Sequence, residues 1–235
     1  MTTETVDWRQ GRWEEVLADV GEVDALICDP PYSARTHGRK RESQRRDGGK
    51  LTDISYAHWD DFDVAHFVAS WAPRVRGWWA VMTSHDLAPA WERALDETAG
   101  LYVFAPLPCV LRGMSVRLAG DGPSSWTVWL IVARPRHAPY SKWGTLPGAY
   151  TMGAVTDPDS RIGGKPEKLM RSIVSDYTRP GDLIVDPCGG HATTLLAARA
   201  LGRRAIGAEM DPEAYEAGAR RLARPYSPDL FAGGA

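Results

Sequence analysis

The chain has 235 residues, with 28 Lys and Arg against 30 Asp and Glu and a formal net charge of −2. That length suits one α/β domain, and 43% hydrophobic with 25% charged residues excludes global disorder. No apolar run approaches the roughly 20 residues of a membrane span. No basic-then-apolar leader opens the sequence, and Cys28, Cys109 and Cys188 form neither a disulfide framework nor a CxxC pair. A cytoplasmic protein with reduced thiols is the expectation.

In chain order, Val6 to Gln10 reads as a short strand, and Trp13 to Val20 has helical spacing. Glu22 to Cys28 is a buried strand that stops at Asp29-Pro30-Pro31-Tyr32, because proline cannot continue a central ladder. Phe62 to Trp71 predicts a helix and Gly77 to Thr83 a strand, with Asp86 as N-cap of a helix to about Thr98. Leu101 to Val110 and Trp126 to Ala133 pair as an antiparallel hairpin with a long connection. Residues 134–164, rich in proline and glycine, predict an irregular excursion, and Pro166 opens a helix. Asp182 to Val185 is a buried strand, followed by a glycine turn, a helix to about Leu201, a strand at Arg204 to Ala208 and a helix at Pro212 to Ala223. Such alternation predicts a mostly parallel sheet covered by helices. Trp71, Trp78, Trp79 and Trp91 fall on predicted elements and are assigned to the core.

Two strand ends carry chemistry, since ligands of open parallel sheets bind beyond the strands' carboxyl ends. Asp186 to Thr194 (D-P-C-G-G-H-A-T-T) passes from strand to helix through Gly189 and Gly190, with neither a GK[ST] phosphate loop nor a G-x-G-x-x-G fingerprint. Glu209 ends the next strand, where an acid can accept hydrogen bonds from ribose hydroxyls. At Asp29 to Tyr32 two prolines stiffen the turn, so a carboxylate, a carbonyl and an aromatic ring keep one geometry. That cluster suits a planar aromatic amine; a rigid turn with an exposed Tyr is the plainer reading. Arg35, Arg39, Lys40, Arg41, Arg45, Arg46 and Lys50 follow, opposed only by Glu42 and Asp47. The run is either a solvated face or a phosphate-gripping loop.

Together these segments resemble the β-class S-adenosylmethionine-dependent DNA amino-methyltransferases, the N6-adenine and N4-cytosine family. Asp29-Pro30-Pro31-Tyr32 matches the catalytic (D/N/S)PP(Y/F/W) motif, and Asp186 to Thr194 resembles the D-P-F-x-G-S-G-T-T cofactor loop. Lys165-Pro166-Glu167-Lys168-Leu169 matches K-P-x-x-L, Pro180-Gly181-Asp182 matches PGD, and Ile206 to Leu222 follows the I-G-x-E…Y…A…R-L ending. Catalytic before cofactor motif is the circularly permuted β arrangement. Cys188 stands where the family usually has Phe, and Ala192 where it has a glycine, a position at which only backbone with positive φ is disfavoured.

The resemblance implies an α/β, Rossmann-like class I methyltransferase fold, with a mostly parallel seven-stranded sheet and an antiparallel hairpin. One domain spans 1–235, residues 33–60 form a basic DNA-contacting loop, and 112–164 is an irregular region available for target recognition. Implied cofactor ligands are Asp29, Lys165, Pro166, Asp186, Pro187, Cys188, Gly189, Gly190, Ala192, Thr193, Thr194 and Glu209, around S-adenosyl-L-methionine. Asp29, Pro30, Pro31 and Tyr32 would capture a flipped base for methylation at adenine N6; cytosine N4 and a non-catalytic DNA-binding module are the alternatives. DPPY is more usual for adenine. The implied partner is double-stranded DNA, with no membrane and no metal, and a homodimer is left open. Arg112, Arg117, Arg134, Arg136 and His137 are candidates for reading the target sequence.

Overall fold

In the computed structural model the described residues are 5–34, 58–98, 100–112, 126–137, 143–153 and 164–225. Among them are nine strands: β1 (Val6–Gln10), β2 (Val23–Cys28), β3 (Val75–Thr83), β4 (Leu101–Val103), β5 (Leu107–Leu111), β6 (Thr127–Pro135), β7 (Tyr150–Met152), β8 (Leu183–Asp186) and β9 (Arg204–Glu209). Six helices accompany them: α1 (Trp13–Val16), α2 (Asp61–Trp71), α3 (Ala88–Glu97), α4 (Glu167–Tyr177), α5 (Thr193–Ala200) and α6 (Pro212–Leu222). No helix among the described residues is long and apolar enough to cross a membrane.

All strands join one mixed sheet in the order β1-β9-β8-β2-β3-β6-β5-β7, with β4 pairing the far half of β6. The β1, β9, β8, β2 and β3 neighbours are parallel, and β6 runs antiparallel to β3, β4 and β5. The α/β class with an antiparallel hairpin is therefore as expected, whereas the sheet has nine strands rather than seven. One extra comes from Pro106, beyond which the predicted Leu101 to Val110 strand resumes as β5, with Phe104 still donating its N–H to Val132 O at 2.9 Å between the two strands. Another is β7, inside the stretch read as irregular, which closes the sheet edge against β5.

Side chains alternate across the central strands, as pleating requires. On β2, Leu26 and Cys28 join one core with Val64, Phe67, Trp71 and Trp91 of α2 and α3. Ala25 and Ile27 join the other, with Leu169 and Ile173 of α4 and Leu195 of α5. Trp71, Trp78, Trp79 and Trp91 are all buried, as the sequence reading assigned them.

Two helix expectations change. Trp13 to Val20 keeps a single helical turn, because guanidinium groups rather than further helix satisfy its carbonyls: Arg9 donates to Val16 O at 2.7 Å and Arg74 to Leu17 O at 3.0 Å. Asp86 does not cap α3, which begins at Ala88 without a side-chain cap; its carboxylate accepts from Ser33 instead.

The strand connections diverge at the β8–β2 line. From β2 the chain passes through α2 to β3 on one side, and from β8 through α5 to β9 on the other. At such a switch point the carboxyl ends of an open α/β sheet leave a crevice. Both motifs singled out in the sequence end on its two walls.

Candidate active site

Ala25 and Leu26 of β2 lie beside Ile184 and Val185 of β8, so Asp29-Pro30-Pro31-Tyr32 and Asp186 leave adjacent strands at the same edge of the sheet. Glu209 ends β9, the neighbour beyond β8, and Ser84, His85 and Asp86 follow β3 on the opposite flank. Four strand ends thus line up around the crevice.

Both oxygens of Asp29 are engaged. The Tyr32 hydroxyl donates to Oδ1 at 2.8 Å, and the Lys165 ammonium is paired with Oδ2. The same ammonium lies 5.0 Å from the centre of the Tyr32 ring, over which it makes a cation–π contact. Burial, with the Asp29 charge beside it, pushes the Tyr32 phenol well above its usual range and keeps it a donor. Ser33, next in the chain, donates to Asp86, so the segment after Tyr32 is tied to the end of β3.

At the second motif, Asp186 is buried and accepts from the Cys188 N–H at 3.1 Å. Burial pushes its carboxyl up to about 7, against hydrogen bonds from Thr194 and Cys188 that lower it, while the charges of Asp29 and Glu209 add to the rise. Glu209 is raised for the same first reason; its Oε2 accepts from Gly190 N–H and its Oε1 from Asp211 N–H, each at 2.8 Å. These bonds tie the turn to the end of β9 and leave each carboxylate oxygen a further lone pair. Of the three carboxyls that meet in the crevice, Asp29 is paired with Lys165 and Asp186 holds its proton up to about 7, which leaves Glu209 as the one with acceptor sites to spare.

The turn is shaped by a residue the motif search missed. Trp8 of β1 lies opposite Gly207, stacks on Tyr215 at 5.6 Å between ring centres, and donates its indole N–H to Tyr215 O. A Cβ on Gly189 would stand 2.5 Å from the Trp8 ring, so Gly189 is required by packing and not only by ligand approach. The signal was present as glycines at 189 and 218, but their meeting on one indole needs the tertiary fold.

Ala192 occupies the N-cap position of α5 at φ 59°. The conformation disfavoured for it in the sequence reading is thus the one it adopts, at a cost of about 1–2 kcal/mol relative to glycine. Its methyl is fully buried, and Arg221 of α6 braces the turn by donating to His191 O at 2.6 Å and Thr193 Oγ1 at 3.0 Å. Thr194 is buried in the first turn of α5, and Cys188 packs half-buried against the core. Pro166 stands at the N-terminus of α4, directly after Lys165.

Arg35, Arg39, Lys40, Arg41, Arg45, Arg46 and Lys50 lie outside the described residues, as does Arg117. Of the other target-reading candidates, Arg134 is buried within 6 Å of the Trp78, Tyr102 and Phe104 rings, and Arg136 pairs with Asp96 at 2.7 Å. Both are engaged by the fold, while Arg112 and His137 are exposed. Among the described residues no group of three His, Cys, Asp or Glu side chains is arranged to hold a metal.

A DNA methylase family model matches residues 148–220, which include the Lys165 segment, the cofactor-type turn and Glu209. A DNA adenine methyltransferase of Escherichia coli, YhdJ, is 41% identical over 70 residues, 29% of this chain and 24% of that protein. The type II methyltransferase M2.DpnII of Streptococcus pneumoniae is 41% identical over 58 residues, 25% of this chain and 22% of its own length. The match therefore spans about a quarter of these curated relatives. Among solved structures, the M1.HpyAVI complex with S-adenosylmethionine is 22% identical with a TM-score of 0.70, covering 92% of this chain and 99% of that one. The cytosine-N4-specific PvuII DNA methyltransferase has a TM-score of 0.65 at 16% identity, covering 96% and 89%. Likeness at those identities establishes the fold. Over residues 148–220 the chain is therefore similar to DNA methylases, and its fold is that of the solved S-adenosylmethionine-bound DNA methyltransferase.

Proposed function

We propose that this chain transfers a methyl group from S-adenosylmethionine to the N6 amine of adenine in DNA. The observation that carries the reading is a carboxylate and a tyrosine on a rigid Pro-Pro turn, set at the sheet's switch point beside an acidic glycine turn. S-adenosylmethionine supplies an electrophilic sulfonium methyl. The donor set fits it: Glu209 has spare acceptors for ribose hydroxyls. Asp186, Pro187, Cys188, Gly189, Gly190, Ala192, Thr193 and Thr194 would frame the bound molecule, with Pro166 on its methionine side and the Lys165 ammonium on Asp29.

An exocyclic adenine amine is a weak nucleophile because its lone pair is delocalised into the ring. Tyr32 would stack on a base flipped from the duplex, at a cost of a few kcal/mol. Hydrogen bonds from the amine to the Asp29 carboxylate and the Pro30 carbonyl would localise the lone pair and aim it, with Pro31 holding the turn stiff. The cationic run from Arg35 to Lys50 follows Tyr32 directly in sequence and would neutralise phosphates around the extruded nucleotide. A cytoplasmic location, with access to genomic DNA, accompanies this reading, and a homodimer is checked by sedimentation.

Cytosine N4 is the alternative, since its amine offers the same two N–H donors. Methylome sequencing in a host without DNA methylation decides: N6-methyladenine at a defined site is expected, and N4-methylcytosine alone would replace the adenine reading. Calorimetry with S-adenosylmethionine separates both from a non-catalytic module, which would keep DNA affinity without binding the cofactor.

A further inference from the structure

The Lys165 ammonium is almost withdrawn from solvent, its side chain 7% exposed, whereas that of Asp29 is 27% exposed. A buried ammonium needs an anion, and the one it meets is the catalytic carboxylate, 136 positions away in sequence. The Tyr32 ring closes over the same nitrogen. The two oxygens of Asp29 are therefore held differently. Oδ2 carries a charge-assisted bond to a cation, and Oδ1 a bond from a neutral phenol, which is the weaker of the two.

Building on the proposed methyl transfer, we propose that Lys165 is a positioning residue that acts through Asp29 on capture of the target base, and not a ligand that sets cofactor affinity. Its charge fixes the plane of the carboxylate at Oδ2. The incoming amine then replaces the Tyr32 hydroxyl at Oδ1, the more weakly held site, without leaving Lys165 unpaired. Lys165 also begins the segment that leads into α4, which packs with α5, the helix after the cofactor-type turn. It thereby links the wall that receives the base to the wall that receives the cofactor.

The test compares the full-length wild type, K165M and K165R by calorimetry with S-adenosylmethionine, thermal melting, and single-turnover methyl transfer to DNA bearing the site found in the methylome. For K165M the rate at saturating cofactor should fall about a hundred-fold, the cost of a misplaced reacting group, with cofactor Kd within about threefold of wild type. K165R, which keeps a cation against Oδ2, should recover at least about tenfold of that rate. A K165M chain with cofactor Kd weakened tenfold or more, or with an unchanged rate, overturns the assignment. So does a parallel loss of rate and melting temperature that K165R does not rescue. A wild type that methylates no DNA fails the proposed function itself.

Discussion

The two walls of the crevice are built in opposite ways. The cofactor-type wall takes its hydrogen bonds from nearby segments, Gly190 to Glu209, Arg221 to His191 and Thr193, and Asp186 to the Cys188 N–H, with Trp8 of β1 packed on it from the other end of the chain. The proposed catalytic wall is short and stiff, but the side chains that aim it come from far away, Lys165 onto Asp29 and Asp86 onto Ser33. A locally closed turn can carry a recognisable motif, as the family match over residues 148–220 shows. A motif aimed by distant partners is legible only as a tetrapeptide.

The largest effect should come from the catalytic wall. Asp29→Ala removes the acceptor that localises the amine lone pair, and methyl transfer should fall by at least about a hundred-fold to a thousand-fold. Calorimetry should find the cofactor-type wall still binding S-adenosylmethionine. Retained transfer would break the division between the walls.

Gly189→Ala attacks the cofactor-type wall through packing, by driving a methyl into the Trp8 ring. Overpacking of this kind costs about 1–3 kcal/mol, which thermal melting reads as a fall of several degrees. An unchanged melting temperature would mean that Trp8 does not clamp the turn.

The same wall should show a pH signature. Asp186 titrates at about 7 in the folded chain against an ordinary value of 3.8, so the folded state binds the extra proton between those limits. Its stabilising contribution is present below about 4 and is lost as pH rises through 7. The wild type should therefore lose more melting temperature than Asp186→Asn between pH 5 and 8. Equal slopes would remove Asp186 from the account.

Ala192→Gly should matter least. Relief of the left-handed conformation, about 1–2 kcal/mol, is offset by a lost buried methyl at about 0.8 kcal/mol and by the flexibility of unfolded glycine at about 0.5–1 kcal/mol. A stability change under about 1 kcal/mol by denaturant titration is the expected result, with a larger loss meaning that the packing of the buried methyl outweighs the backbone strain.

The sequence by itself determined the α/β class, the burial of the four central tryptophans and the location of both chemical strand ends. Each of these follows from periodicity or from glycine and proline at a turn, which act within a few residues. It also carried the resemblance, because the motifs behind it are short runs of neighbouring residues. Tertiary structure alone decided the rest. Asp86 has every local feature of an N-cap, yet its carboxylate goes to Ser33, 53 positions earlier. Gly189 reads as freedom for a ligand until β1 lays Trp8 across it, and Ala192 is held at positive φ because its neighbours close the turn around it. Lys165 stands in a segment matched for cofactor binding, and the sheet brings its charge to Asp29. For Asp86 and Lys165 the strongest available partner lies on a segment distant in sequence, and hydrogen bonds and buried charges go to the best partner in space.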